Sequence, residues 1–440
     1  MKKNLLVLFL VASIVPVKAQ LLDRVRNRVE QKVGQKIDQK IDQTIDKATQ
    51  KKEPKAAPAP TNPTPEPSAS TSNPAPTQVE STSSQPASPK SATPIQDFNA
   101  YSKFDFIPGE KIIAYEDFAE DAVGDFPANW NTRSSAEVVT IANREGKWLR
   151  MAQSGSFYPE HIIGDFPENF TLQVELLASK QVANIGQWMV SFLHTKGVDD
   201  IFKKGASTSE NDTPNFKLSL QPGSSKGDMY YSTNLIKSNF KSGLPEFHVP
   251  VKSSVKISIW RQNQRIRVYL DSTKVLDLPR ALEPKAVLNT LVFTASNPEY
   301  SDKEGAFFMG NIRMAVGTPN LRNQLSSEGK FSTTGILFDV NSDQIKPQSF
   351  GSLQSIAQLL KEDGALRVRI VGHTDADGAD AANLELSKRR AASIKQALST
   401  HFGIDASRME SDGKGKMEPV DSNNTAAGKA NNRRVEFLKI

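Results

Sequence analysis

Two side chains of opposite charge near the end of this 440-residue sequence fall beside one predicted loop, Asp375 and Arg390. Asp375 follows Leu366, Val368 and Ile370, an alternating run that reads as a strand ending at Gly372. Gly378 permits a turn from which the carboxylate can project. Arg390 falls on the helix that follows, marked by Leu384, Ala391, Ile394 and Leu398, far enough along to lean back toward the same loop. A carboxylate and a planar guanidinium a few ångströms apart would take an ammonium and a carboxylate from one ligand. Each also has a plainer explanation. Asp375 could cap a turn or helix, and Arg390 could be a surface ion-pair partner like Arg389.

The elements that must position these two alternate strand and helix. Ile336–Val340 reads as a strand, and Pro347 suits a first helical turn. Phe350, Leu353, Ile356 and Leu360 then line one helical face, which Gly364 ends. The second helix stops before Gly403, and Val435 and Phe437 belong to a closing strand. The pattern predicts an α/β layer of βαβαβ order, with helices packed on a small sheet.

Six motifs run through this region in order: Gly372-His-Thr-Asp-Ala-Asp-Gly, Asn383-Leu-Glu-Leu-Ser-Lys-Arg-Arg-Ala, Gly413-Lys-Gly, Glu418-Pro, Asn424-Thr and Asn432-Arg-Arg-Val-Glu-Phe. The series resembles the OmpA-like C-terminal domain shared by outer-membrane porin tails, peptidoglycan-associated lipoproteins and flagellar stator subunits. The resemblance covers residues 327–440. It implies noncovalent binding of peptidoglycan through diaminopimelate, whose free end carries an ammonium and a carboxylate. By the resemblance, Asp375 takes the ammonium and Arg390 the carboxylate, while Asn341, Asn383 and Thr374 supply polar contacts. Arg433 and Arg434 are expected to tie down a loop. The chain has Gly428-Lys429 where the family often has Gly-Arg, and lysine lacks the bidentate fork.

Residues 100–318 carry a different pattern. Phe170–Leu177, Trp188–Leu193, Val255–Trp260 and Arg265–Leu270 alternate at period two, with turn residues between them and no helical pattern. An antiparallel sandwich is the expected architecture. The stretch from Ile259 to Pro279, with a turn at Asp271-Ser272 and Val268, Leu270, Val275 and Leu276 packed, resembles a strand pair of laminin-G-like and concanavalin-like jelly rolls. Glu116–Phe118 and Phe126–Trp130 look like the opening strand and loop of that class. An enzymatic alternative would pair two of Glu116, Asp117, Glu175 and Asp277 as in glycoside hydrolysis. A binding alternative would stack a sugar on Trp130, Trp148, Trp188 or Trp260. The five histidines, at 161, 194, 248, 373 and 401, show no metal-ligand spacing. Long polar stretches such as Lys203–Asp212 argue against a membrane barrel.

The first 99 residues read as three segments. Residues 1–19 resemble a secretion signal, with Lys2 and Lys3, an apolar run from Leu5 to Val15, and a cut after Ala19. Residues 20–50 repeat Val or Ile every four positions, which suits an amphipathic helix whose stripe winds around it. Residues 51–99 hold eleven of the 26 prolines and no hydrophobic period, the mark of a disordered linker. The chain has no cysteine, so disulfides, thiolate metal sites and a lipid-bearing cysteine are excluded. Net charge is +6, and removal of Lys2, Lys3 and Lys18 leaves +3, too mild to indicate nucleic acid.

The expectation is a non-catalytic, multidomain envelope protein of a Gram-negative bacterium. It has an N-terminal helix, a disordered linker, an all-β jelly-roll sandwich and an α/β wall-binding domain, in a segment order resembling OmpA-like proteins of the Bacteroidota. It would be exported across the inner membrane to the periplasm or outer membrane. No cofactor or metal is expected. The expected partners are peptidoglycan, an outer-membrane or envelope protein, and a carbohydrate at the sandwich. The alternative is a wall-localised carbohydrate-active protein working through the sandwich. A stator-like channel would need a membrane helix bearing an acid, which Leu5–Val17 does not offer.

Overall fold

Alternation at period two builds most of the middle of the chain into sheet. The computed structural model describes residues 104–440 apart from 163, 184–185, 207–214, 223–226, 238, 250–251, 300–303 and 318–319. The expected signal peptide (1–19), amphipathic helix (20–50) and linker (51–99) lie outside the described residues.

Two antiparallel sheets share one apolar interior. The eight-stranded sheet has Ser254–Gln262, Asn169–Ala178 and Phe307–Val316 at its centre, and Lys111–Glu116 pairs with Phe307–Val316. The seven-stranded sheet is centred on Phe216–Gln221, Gln187–Leu193 and Thr290–Ser296. Leu172, Val174 and Ile257 of the first sheet meet Val190, Phe192, Leu218 and Phe293 of the second in one cluster. The hairpin of Arg265–Leu270 with Thr273–Leu278 turns at Asp271-Ser272, where Asp271 has φ +50°. Val268, Leu270, Val275 and Leu276 are all buried there.

The middle region also contains a helix, Val198–Ala206, which the strand pattern did not announce. Asp199 and Asp200 stand in its first turn and Lys203 and Lys204 in its last, as the helix dipole favours. Ile201 and Phe202 are its buried side and pack on Tyr158, Leu193 and Val292. Two adjacent apolar residues make too short a stripe to read as helical periodicity.

A third, mixed sheet of four strands follows. Val435–Lys439 lies between Lys330–Thr333 and Val368–His373, antiparallel to both. Met409–Gly415 joins the far side of Val368–His373 in parallel. The expected strand at Ile336–Val340 does not form. Phe338 makes only an isolated bridge to Ile345, and the sheet's first strand is Lys330–Thr333 instead. The reason is local: Val340 is 60% exposed and Asn341 takes φ +53°, so the chain reverses where a strand would have to continue. The short helix Ala426–Asn432 and the strand Met409–Gly415 are further elements beyond the βαβαβ reading.

The helices Phe350–Glu362 and Asp380–Phe402 supply the rest of this core. Leu353, Ile356 and Leu360 from one, and Ala391, Ile394 and Leu398 from the other, meet Val368, Ile370 and Phe437. Leu325, on the helix Leu321–Glu328, belongs to the same cluster.

The sandwich and this mixed sheet touch through a seam. Phe104 and Phe106 lie among Trp260 and Tyr269 of the sandwich and Phe350 of the helix Phe350–Glu362. Ile112 and Ala315 of the sandwich meet Ala430 of the short helix. Asn431 closes the contact, its amide donating to the Ile112 carbonyl and its oxygen accepting from the Ile112 N–H, each at 2.9 Å. The buried Arg313 reaches across to donate to Thr334 Oγ1.

Candidate functional site

The site is built where the strand Val368–His373 runs out. Gly372 is required there: a Cβ at this position would lie 2.3 Å from the Ser387 carbonyl oxygen. The long helix therefore packs directly on the strand end. Its buried face begins with polar residues, Asn383 and Ser387, before Ala391, Ile394 and Leu398. Ser387 Oγ donates to the Leu384 carbonyl (2.7 Å) and accepts from the Gly415 N–H (2.9 Å), fixing helix to sheet.

Asp375 follows two residues past the strand, its side chain only 13% exposed. Its Oδ2 accepts a 2.6 Å hydrogen bond from Arg433 Nη1, and its Oδ1 accepts the Asp377 N–H at 3.2 Å. Gly378, at φ +87°, closes the turn as its sequence position suggests. Thr374 is buried, with its N–H on the Gly415 carbonyl and its hydroxyl on the Asp375 carbonyl, both 2.9 Å. Asn383 is also buried, and its amide donates to the Asp377 carbonyl at 2.8 Å. Asn423 accepts from the Ala376 N–H and from Asn432, holding the other side of the turn. Lys429 pairs with Asp377 at 2.9 Å, so the lysine found in place of the family's arginine serves the same loop.

Arg390 approaches from the long helix. Its guanidinium lies over the Phe338 ring, 4.8 Å from the centroid. Nε donates to the Ser342 carbonyl (2.9 Å) and Nη2 reaches toward that of Asp339 (3.4 Å). Nη1 has no hydrogen bond among the described residues. Burial lowers the pKa of Arg390, the neighbouring Arg433 charge adds to this, and Asp375 opposes it. At neutral pH the group remains a cation. Two guanidinium groups and one carboxylate thus lie within electrostatic reach of one another, an arrangement with a net positive charge.

The structure sorts the expected residues into two kinds. Asp375 and Arg390 share Arg433 as a charged neighbour, and no hydrogen bond joins them to each other among the described residues. Asn341 is exposed on the turn beside Phe338. Thr374 and Asn383 direct their side chains at backbone groups and build the loop. Arg433 ties the loop down as expected, and with its side chain 37% exposed it also stands at the site. Tyr115, from the first strand of the sandwich, lies under Arg433 with 5.4 Å between guanidinium and ring centroid. Nothing in its local sequence marks it, because its partner is in another region of the chain.

The chemistry weighed for the sandwich looks different. Glu116 is half-buried and accepts the Phe118 N–H (2.9 Å) and Trp130 Nε1–H (3.1 Å). Burial raises its pKa against those two hydrogen bonds. Asp117 accepts the Ala119 N–H, Glu175 accepts from Asn311, and Asp277 is held by both prongs of Arg265 at 2.7 Å. Each acid is taken up by structural partners, and Asp277 has Arg267 Nε 3.6 Å away as well. Trp130, Trp148, Trp188 and Trp260 are all buried, which removes the four as a sugar-stacking platform. Among the described residues no group of three or more His, Asp or Glu is placed to hold a metal ion.

The C-terminal part of the chain is similar to known proteins. The model of the family described as OmpA family matches residues 337–433. The sequence is 44% identical over 102 residues to the Probable lipoprotein YiaD of Escherichia coli, covering 23% of this chain and 46% of that protein. It is 43% identical over 100 residues to Outer membrane protein A of Bordetella avium, covering 23% of this chain and 51% of that one. The chain therefore spans about half the length of these curated relatives. Among solved structures, the peptidoglycan-associated lipoprotein of Burkholderia pseudomallei matches at 33% identity over 25% of this chain and 89% of its own, with a TM-score of 0.23.

Proposed function

Because the chain carries an OmpA family domain at its C terminus, residues 337–433, we propose that it is a non-catalytic envelope protein that holds peptidoglycan noncovalently. The proposed ligand end is diaminopimelate of the stem peptide. Arg390 offers its unbonded Nη1 edge to the ligand carboxylate. Asp375 keeps Arg433 on Oδ2 and receives the ligand ammonium at Oδ1, where only one N–H is bound. The observation that carries this reading is the trio of Asp375, Arg390 and Arg433. They are fixed by backbone and ring contacts, partly exposed, and left with uneven charge.

The position of the chain follows from the same reading. The protein is exported and lies in the periplasm or against the outer membrane, with residues 327–440 as the wall-binding domain. Residues 100–318 form a jelly-roll sandwich of laminin-G-like or concanavalin-like type that engages a second envelope component. We place no catalysis there, since Glu116, Asp117, Glu175 and Asp277 are each bound by a separate structural neighbour.

The test is co-sedimentation of the full chain with purified sacculi. Wild type should pellet, while Asp375→Asn and Arg390→Ala should stay in solution. Normal pelleting by both variants would sink the site. Sacculi carrying lysine in place of diaminopimelate should capture less of the wild-type chain.

A further inference from the structure

Arg433 has two partners, and they come from different parts of the molecule. On one side it donates to Asp375 at 2.6 Å; on the other its guanidinium lies 5.4 Å from the centroid of the Tyr115 ring. Tyr115 belongs to the sandwich strand Lys111–Glu116, far from the wall-binding domain in sequence. Its place is nonetheless closely set. Pairing puts it opposite Arg313 on the strand Phe307–Val316. Three residues earlier, Ile112 is clamped at both backbone groups by Asn431, which sits two residues before Arg433. Tyr115 Oη reaches Asn311 Oδ1 at 3.4 Å, and Asn311 is held in turn by Glu175 at 3.0 Å.

We infer that Tyr115 is a positioning residue of the C-terminal ligand site, so that the sandwich completes the receptor for the wall. The inference rests on the diaminopimelate reading above. An arginine side chain has several rotatable bonds, and one hydrogen bond to a carboxylate leaves its plane free to swing. A ring under the guanidinium restricts that plane and excludes water from one face. With Arg433 held, Asp375 keeps Oδ1 turned to the ligand, and the positive excess beside Arg390 stays where a ligand carboxylate arrives. With the ring gone, Arg433 keeps its charge but samples other rotamers. The ligand must then bear the cost of ordering it. Burial raises the pKa of Tyr115, so the ring remains a neutral phenol across the working range.

The experiment uses the full chain, with a diaminopimelate-containing muropeptide as titrant in calorimetry. Tyr115→Leu should bind about three- to tenfold more weakly, the equivalent of one lost cation–π contact. Tyr115→Phe, which keeps the ring and drops the hydroxyl, should stay near wild type. Adding Tyr115→Leu to Arg433→Gln should cause no further loss, since the first residue acts through the second. A ligand-free readout accompanies these titrations: the Arg433 guanidinium NMR signals should show faster rotation in Tyr115→Leu and not in Tyr115→Phe. Unchanged rotation or unchanged affinity in Tyr115→Leu overturns the inference, as does equal weakening by Phe and Leu. Asp375→Asn distinguishes the two levels of failure. If it binds the muropeptide like wild type, the site itself is wrong and the role of Tyr115 falls with it. If it is dead while Tyr115→Leu is normal, only the role of Tyr115 falls.

Discussion

The acids weighed in the sandwich and the charged trio of the OmpA family domain are held differently. In the sandwich the noted acids are taken up by fixed structural partners: Glu116 bonds Trp130 and the Phe118 backbone, and Asp277 takes both prongs of Arg265 with Arg267 Nε 3.6 Å away. In the C-terminal domain the Asp375 carboxylate is bonded to Arg433, and the nearby Arg390 bonds only backbone carbonyls, with Nη1 unbonded among the described residues. A charge satisfied by its own neighbour is architecture. Charges gathered with their count left uneven keep something to offer a ligand.

The comparison can be broken at its strongest points first. Phe293 is fully buried between Trp130 and Trp188, so Phe293→Ala should cost about 3–5 kcal/mol in a denaturant titration of the sandwich. Wall binding per folded molecule should survive in conditions where that variant stays folded. Asp375→Asn or Arg390→Ala should do the reverse, lowering muropeptide affinity by about 2–5 kcal/mol while changing the melting temperature little. Glu116→Gln should leave affinity untouched, and an effect there as large as at Asp375 would erase the distinction between the two regions.

The next effect lies in the seam. Asn431→Ala leaves the Ile112 N–H and C=O without their side-chain partner, which should cost about 1–3 kcal/mol of stability, read by chemical denaturation.

A comparable effect appears in acid. His373 lies buried with neither ring nitrogen hydrogen-bonded among the described residues, and burial, with the Arg434 charge, pushes its pKa down to about 4. The unfolded imidazole takes its proton near pH 6.5, so the unfolded state binds more protons below that value. Stability from this group is whole above pH 6.5 and is lost as pH falls through about 4. The total loss should be on the order of 3 kcal/mol. His373→Phe should flatten that limb of the stability profile; an unchanged limb would mean other groups cause it.

Legibility in the sequence followed the range of the interactions. Asn169–Ala178, the Arg265–Leu278 hairpin and the helices around Leu353 and Ile394 were readable because period two and period 3.6 act over a few neighbours. The strand Met409–Gly415 was not, since its buried positions beside the long helix include Gly413 and Gly415 and no apolar alternation survives. Ile336–Val340 misled because Ile336 and Phe338 pack in the core while the segment makes only one isolated bridge. At the site, Asp375 and Arg390 were visible through an ordered motif series. The contact of Arg433 with both Asp375 and Tyr115 was not, because only the seam brings Tyr115 within reach.

That seam also works as a mechanical joint. The chain enters the described region at Phe104, and both Phe104 and Phe106 are wedged between Tyr269 of the sandwich and the helix bearing Phe350. Tension applied between residue 104 and the C-terminal domain is therefore expected to load this shared aromatic latch first. The expected first event under force is release of the latch, with both cores still folded. In single-molecule pulling, Phe104→Ala with Phe106→Ala should erase the earliest rupture and leave the later unfolding steps in place. A joint of this kind would give a little length first while both folded bodies stay intact.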